Sequence, residues 1–537
     1  MKNNHSRLVK ATALLCAVSL AATGLTACGD SSSTTENVVA SPDFVYDGTG
    51  PITDLDGMTL TCVAQASNYS NVDMTQAEIV KKVQEGANVT IDYTLVNPTN
   101  YNDTVKPMLA AGSDLPDFIR LPDDMDPNQS YINSGLFEPL DTHFDEMPNF
   151  SKWLDENPSV KASLTASDGH IYYVCGTNVS DTFQPCIMYN MKWLADAGFS
   201  EVSSTTDEFV ELLRYYKTHD MNGNGDTNDE YPMSVTAEML PYMFGPAFGL
   251  DLISGFYVKD DGTVAYAQAE SEDYKAYLTF LNQLYTEGLL DVDYTTLTRD
   301  QIIARFANDQ TGVTCDWGYQ MDVAYSVQLP YYDGTRATGV SGAKPLSGTH
   351  EGFYVGRDPI GSLWGVTAAS SNIDLAIRFL DYAFSEANQD MYCWGIEGES
   401  YVVDANGNRE FTEQASDNTW LQQLGINPAG VLPARQSTEA TYALVSDWHE
   451  EVDKELIPYV RAPWPFIFAE ADEAEVVSNY LVDLETYADE MEVAFITGTA
   501  SLDTFDDYLA TLESMHLSDL LEVRTAQYER YQAASAT

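Results

Sequence analysis

Past residue 57 the apolar positions fall into two periods. Residues 58–64 form a short apolar run, and residues 89–96 (VTIDYTLV) mostly alternate apolar with polar, the period-2 pattern of a strand with one buried face. Residues 75–85 between them carry apolar side chains at helical spacing. A second helix is predicted over 101–111, stopped by Gly112, and a third strand over 117–121. Strands alternating with helices predict βαβ units and a largely parallel sheet.

The same periods recur further on. Thr205 and Glu208 stand at capping-box spacing ahead of Phe209, Leu212, Leu213 and Tyr216. Asp261-Gly262 joins two short apolar runs, 256–258 and 264–266, as a hairpin. Asn372 is placed to cap a helix whose inner face is Leu375, Ala376, Phe379, Leu380 and Ala383. From Glu473 to the end helical periodicity dominates. No segment repeats at a fixed period.

The first residues follow a different rule. Lys2, Arg7 and Lys10 precede an apolar run over 11–22, too short to span a bilayer and suited to the apolar region of a signal peptide. It leads into Leu25-Thr26-Ala27-Cys28, which resembles a bacterial lipobox. This predicts a signal peptide over 1–27, acylation of Cys28 and a polar tether over 28–42, leaving the chain on the outer face of the cell membrane, held by lipid.

Composition narrows the class. The 537 residues carry 82 acidic against 26 basic side chains, a formal charge of −56. Such a surface repels nucleic acid and anionic headgroups. Aromatics are too abundant for a disordered chain. The length calls for at least two lobes. Cys62, Cys175, Cys186, Cys315 and Cys393 match no zinc spacing; most sit in apolar strand-like runs, which favours free buried thiols over disulfides.

Several segments then line up with one family. Leu109-Ala110-Ala111-Gly112-Ser113-Asp114-Leu115-Pro116-Asp117 resembles a segment of the family 1 extracellular solute-binding proteins of ABC importers, as do residues 135–140, 168–172, 188–190 and 284–291. Residues 394–401 and 495–498 resemble the longer, lipoprotein branch of that family, which includes oligosaccharide- and alginate-binding proteins. The resemblance implies an α/β, two-lobe periplasmic-binding-protein-like fold with a hinge and an interlobe ligand cleft. Expected boundaries are 43–180 with 365–440 for the first lobe and 181–364 with 441–537 for the second. Crossings are expected near 177–184, near 361–366 and around residue 440. The implied function is capture of a carbohydrate, an oligosaccharide before a monosaccharide, for an ABC permease pair with its ATPase, by a monomer that touches the membrane through its lipid anchor.

One local motif stands out. In residues 220–230 (DMNGNGDTNDE), oxygen-bearing side chains at positions 1, 3 and 5 with Gly at 6 match the start of an EF-hand loop, while Tyr231 replaces the usual Glu at 12. The loop resembles the calcium loop of alginate-binding proteins. Carried over, the Ca²⁺ ligands are Asp220, Asn222, Asn224, the Asp226 carbonyl and two of Asn228, Asp229 and Glu230; one extra residue leaves that last choice open. The ion would be structural. The alternative is a plain polar turn.

Sugar rings stack on aromatic faces while their hydroxyls meet polar side chains. The candidates are Asp316 and Trp317 after an apolar run, Trp364 in the expected hinge, Trp394, Glu397 and Tyr401 in the family-like loop, Arg461 and Trp464 in a proline-rich loop, and Asn68 and Tyr69 after the first strand. Any one tryptophan is more often core than ligand, so the expectation rests on the group. No H-E-x-x-H, G-x-S-x-G or P-loop occurs, and no enzyme is expected. A cell-surface glycoside hydrolase using two carboxylates, or a lipoprotein for another solute, are the competing readings.

Overall fold

The computed structural model describes residues 38–67, 72–122, 128–179 and 181–535, the side chains of 128–130 excepted. The signal peptide, Cys28, Asn68 and Tyr69 lie outside the described residues. Two sheets organise the rest. Their strands are β1 (Thr59–Gln65), β2 (Thr90–Val96), β3 (Phe118–Arg120), β4 (Tyr173–Thr177), β5 (Pro185–Asn190), β6 (Tyr231–Met233), β7 (Thr311–Trp317), β8 (Val340–Gly342) and β9 (Ile360–Val366).

The first sheet runs β2-β1-β3-β9-β4. β1 is parallel to β2 and β3, as the alternation of strands and helices predicts, but β9 inserts antiparallel between β3 and β4. The second sheet runs β8-β5-β7-β6, with β5 antiparallel to both neighbours and β6 parallel to β7. Both sheets are therefore mixed. A strand that returns from the other lobe enters at the opposite end of its neighbours and so runs antiparallel to them.

The expected helices form with small shifts. The first is Glu78–Ala87, burying Ile79, Val80, Val83 and Ala87 and stopping at Asn88, whose φ of 60° ends the coil. Met74–Gln76 makes a separate tight turn capped by Asp73, so the helix starts later than the periodicity suggests. Thr205 caps Thr206–Thr218, but the Glu208 carboxylate reaches Ser204, accepting from its N–H and its hydroxyl rather than from Thr205. Asn372 heads Ile373–Ala383 without capping it, because its amide donates to Asp117. The hairpin of Phe256–Val258 and Val264–Tyr266 forms as expected around Gly262.

Each sheet has its own core. Leu60, Phe118, Ile119, Val174, Leu363 and Trp364 pack with the helix Ile373–Ala383 in the first, and Phe468 inserts into it from far along the chain. Ile187, Tyr189, Trp193, Phe209 and Val313 form the second with the C-terminal helices Ala471–Thr497, Phe505–Ser514 and Leu517–Ser535. A smaller cluster, including Cys186, Met188, Phe306, Tyr325 and Val452, also packs on second-sheet strands. Each fully buried side chain of this size contributes about 1.5–3 kcal/mol.

Two boundaries move. β9 belongs to the first sheet, so that lobe resumes at Ile360 rather than at 365, because Leu363, Trp364 and Val366 are buried in its core. Residues 39–41 do not hang free: the Val39 carbonyl accepts from Thr53, and Ser41 bonds the Asp54 carboxylate. The five cysteines are free thiols. No helix among the described residues is long and apolar enough to cross a membrane.

Candidate ligand cleft

Three connections between the lobes, 178–184, 356–359 and 434–446, meet in one place; a further stretch, around Phe468, reaches from second-lobe helices into the first core. The three are laced together by backbone. Thr177 N–H donates to the Ala434 carbonyl at 3.1 Å, Gln436 N–H to the Thr177 carbonyl at 3.0 Å, and Asn178 N–H to the Pro359 carbonyl at 3.0 Å. Gly176 permits this: a Cβ there would stand 2.6 Å from the Ala434 carbonyl oxygen.

One edge of the first sheet faces the second lobe across this lacing. Arg120 and Pro122 lie at the end of β3, Asn178 just past β4, and Gly361 and Ser362 at the start of β9. With Ser254, Trp464 and Arg524 they line a cavity of about 650 Å³. β1 points the same way; its last residue, Gln65, donates to the Gly430 carbonyl beside Ala429, which also lines the cavity. Ends of parallel strands in open sheets are the usual ligand position. A second cavity, about 360 Å³, is lined by Trp317, Tyr319, Asn427 and Arg435 and shares Arg357 and Gln436 with the first.

Arg357 stands at the junction. Its Nη2 donates to Asn178 Oδ1 at 3.1 Å, its Nη1 to Gln436 Oε1 at 3.3 Å, and its guanidinium lies 5.1 Å from the Trp317 ring centroid. Gln436 Oε1 also accepts from Val179 N–H at 3.2 Å, and Asn178 Nδ2 donates to the Asp358 and Ile360 carbonyls. Among the described residues no carboxylate pairs with this cation, and burial lowers its affinity for the proton. Burial likewise pushes the neighbouring Asp358 carboxyl up to about 6. Arg435 is desolvated too; its guanidinium lies over the Phe384 ring and its Nε has no hydrogen-bond partner.

The sequence-predicted residues divide. Trp317 ends β7 and lines the smaller cavity, with Tyr242 tilted against it at 6.1 Å. Trp464 lines the 650 Å³ cavity and, with Arg461, an adjoining one of about 1030 Å³; the Arg461 guanidinium covers the Phe353 ring at 4.2 Å. Trp364 is a correction: it is fully buried among first-lobe side chains and presents no face to a ligand. Asp316 is another. It is buried under a bidentate Arg299 pair at 2.6 Å and takes the Tyr325 hydroxyl, which leaves it no capacity for sugar. Residues 394–411 fold on themselves, Trp394 stacking on Phe411 at 4.9 Å beneath the hairpin of Tyr401–Val403 and Arg409–Phe411. Trp394 is therefore almost fully buried, though it borders a separate cavity of about 460 Å³, and Glu397 and Tyr401 line none of these cavities. Arg357, Asn178, Gln436 and Arg435 were not anticipated. The rarity of arginine in so acidic a chain was a signal for the two arginines; Asn178 and Gln436 carried none.

The loop 220–230 is wound around its own oxygens. Asp220 accepts from the N–H groups of Gly223, Asn224 and Gly225; Asn222 accepts from Asn224 N–H, and Asn224 from Asp226 N–H. Asp226 Oδ1 takes both the backbone and side-chain N–H of Asn228. Asp229 Oδ2 accepts from Asn222, Asn224 and Gln310, and Glu230 Oε1 from Met221 N–H. The second oxygens, Asp229 Oδ1 and Glu230 Oε2, are buried and have no partner. Hydrogen bonds lower the Asp229 carboxyl, Gln310 foremost, while burial raises that of Glu230. Two buried carboxylate oxygens without partners, in a loop rich in carboxylate and side-chain amide oxygens, are donors of the kind a hard cation takes. Among the described residues no three His, Cys, Asp or Glu side chains converge into a ready-made metal cluster.

The fold is shared with known proteins. Residues 72–390 match the family model for bacterial extracellular solute-binding proteins. The fructooligosaccharide ABC transporter substrate-binding protein FusA of Streptococcus pneumoniae is 28% identical over 97% of this chain and 98% of its own. Among solved structures, the S. pneumoniae FusA EF-hand mutant in complex with fructo-nystose superposes with a TM-score of 0.73 at 23% identity, over 88% of this chain and 99% of that one. Alginate-binding protein AlgQ2 without calcium ion gives 0.73 at 21%, over 89% and 99%.

Proposed function

Because this chain belongs to the bacterial extracellular solute-binding proteins, we propose that it captures an oligosaccharide between its lobes and delivers it unaltered to the permease of an ABC importer. The observation that carries this reading is the Trp317 ring at the cavity shared by all three crossings, with Arg357 on it. A pyranose or furanose ring stacks on such a face, and Arg435 in the same cavity, with Arg120 and Ser254 in the neighbouring one, supplies polar groups for hydroxyls. Lobe closure then buries the sugar, through contacts that exist in the closed state alone. The end-to-end relative is a fructooligosaccharide receptor, so fructose oligomers are the first ligands to try.

The remaining parts belong to the same proposal. Cys28 carries the lipid that holds the protein at the outer face of the membrane. A permease pair with its ATPase receives the sugar, and the chain works as a monomer without chemistry of its own. A structural Ca²⁺ sits in the 220–230 loop, held by Asp220, Asn222, Asn224, the Asp226 carbonyl, Asp229 and Glu230, the last two preferred over Asn228 because each has a buried carboxylate oxygen without a partner.

The test is calorimetric titration of the mature chain with kestose, nystose and a panel of neutral and acidic oligosaccharides, followed by chromatography of the recovered sugar. Saturable binding with intact sugar supports the reading. Shortened products would make the protein a hydrolase, and no saccharide binding at all would end it.

A further inference from the structure

Arg357 is the one guanidinium among the described residues that touches all three crossings. It lies in the second, bonds the side chain of Asn178 in the first and that of Gln436 in the third, and rests on Trp317 at the end of the second-lobe strand β7. Its partners are neutral amide oxygens and an aromatic face. Bonds of that kind are weaker than a buried carboxylate pair and can be remade as lobes move. The planar fork of arginine can reach two acceptors at once in a fixed geometry, which lysine cannot.

We propose that Arg357 is a positioning residue of the cleft: it sets the angle between the ligand-free lobes by clasping the three crossings to one another and to Trp317. Sugar affinity then depends on Arg357 through pre-organisation of the cleft, not through a bond to the sugar. A clasp that fixes the binding-competent geometry raises the populated fraction of that state, and apparent affinity scales with that fraction. Asn178 and Gln436 act with it as a unit. The idea rests on the carbohydrate-capture reading for its affinity arm but not for its conformational one.

The test compares Arg357→Gln, Arg357→Lys and the pair Asn178→Ala with Gln436→Ala, in the mature chain, by small-angle scattering and amide exchange of the ligand-free protein and by kestose titration. Arg357→Gln is expected to widen the ligand-free scattering envelope, speed exchange in 178–184, 356–360 and 434–437 at least tenfold, and weaken sugar binding about tenfold or more; Arg357→Lys falls between it and the parent. The Asn178/Gln436 pair reproduces the exchange change, and adding Arg357→Gln to it produces little more. If Arg357→Gln does not fold, the Asn178/Gln436 pair decides alone. Parent-like scattering and exchange in the substituted proteins overturn the proposal, even where sugar binding falls. If the parent binds no saccharide, the function reading fails while the scattering and exchange results still judge the clasp.

Discussion

The Tyr274 hydroxyl donates a 2.8 Å hydrogen bond to the carboxyl of Glu492, between the helices Asp273–Thr286 and Ala471–Thr497. An edge of the Glu492 residue reaches the surface, but its carboxyl is enclosed, and burial pushes it up to about 7. The folded state therefore holds this proton across a range in which the unfolded chain has lost it. Stability falls as pH rises from about 4.5 to about 7 and is level above, a loss of up to about 3 kcal/mol. Glu492→Gln should remove most of this slope and raise the melting temperature at pH 8; a melting profile against pH that keeps the parent slope would contradict it.

Calcium should add stability where chelator removes it. Mass action gives about 2.7 kcal/mol when free ion exceeds its dissociation constant a hundredfold. EDTA should lower the melting temperature, Ca²⁺ should restore it and Mg²⁺ should do so poorly. Glu230→Gln, which removes the charge from a buried orphan oxygen, should blunt that response. An unchanged melting temperature with EDTA would leave the loop a polar turn.

Trp317 and Trp364 should separate by readout. Trp317→Ala removes the half-buried ring at the cavity and should weaken sugar binding by about 10- to 100-fold with a smaller change in melting than Trp364→Ala. Trp364→Ala empties a core position and should destabilise by about 3–5 kcal/mol, while the protein that remains folded binds sugar as the parent does. Calorimetry with thermal melts distinguishes the two.

Gly176→Ala should disturb the lacing. Its Cβ would press on the Ala434 carbonyl oxygen, which is backbone and cannot swing aside. Faster amide exchange at Thr177 and Gln436 is expected, with a stability loss of about 1–3 kcal/mol. Parent-like exchange would show that the crossings have slack.

What the sequence made legible follows from local physics. Thr59–Gln65 and Tyr101–Ala111 could be read because their period and their stop at Gly112 depend on neighbours in the chain. The placement of β9 could not, since a strand inserted between β3 and β4 looks the same in sequence as one that crosses between lobes. Trp364 was misassigned for that reason. Asp316 failed differently: its partner Arg299 stands 17 residues away on a helix, and no local pattern shows that it turns back. Trp317 could be placed because a strand end is a local property, whereas Arg357 acquires its meaning from three segments that meet in space.

The segment 39–54 has a mechanical consequence. Val39, Ser41, Tyr46 and Gly48 are fastened to the first lobe through Thr53, Asp54, Asp381 and Asn149. Any pull on the leading end of the chain is thus taken up by the first lobe before it reaches the hinge. The second lobe is spared that load.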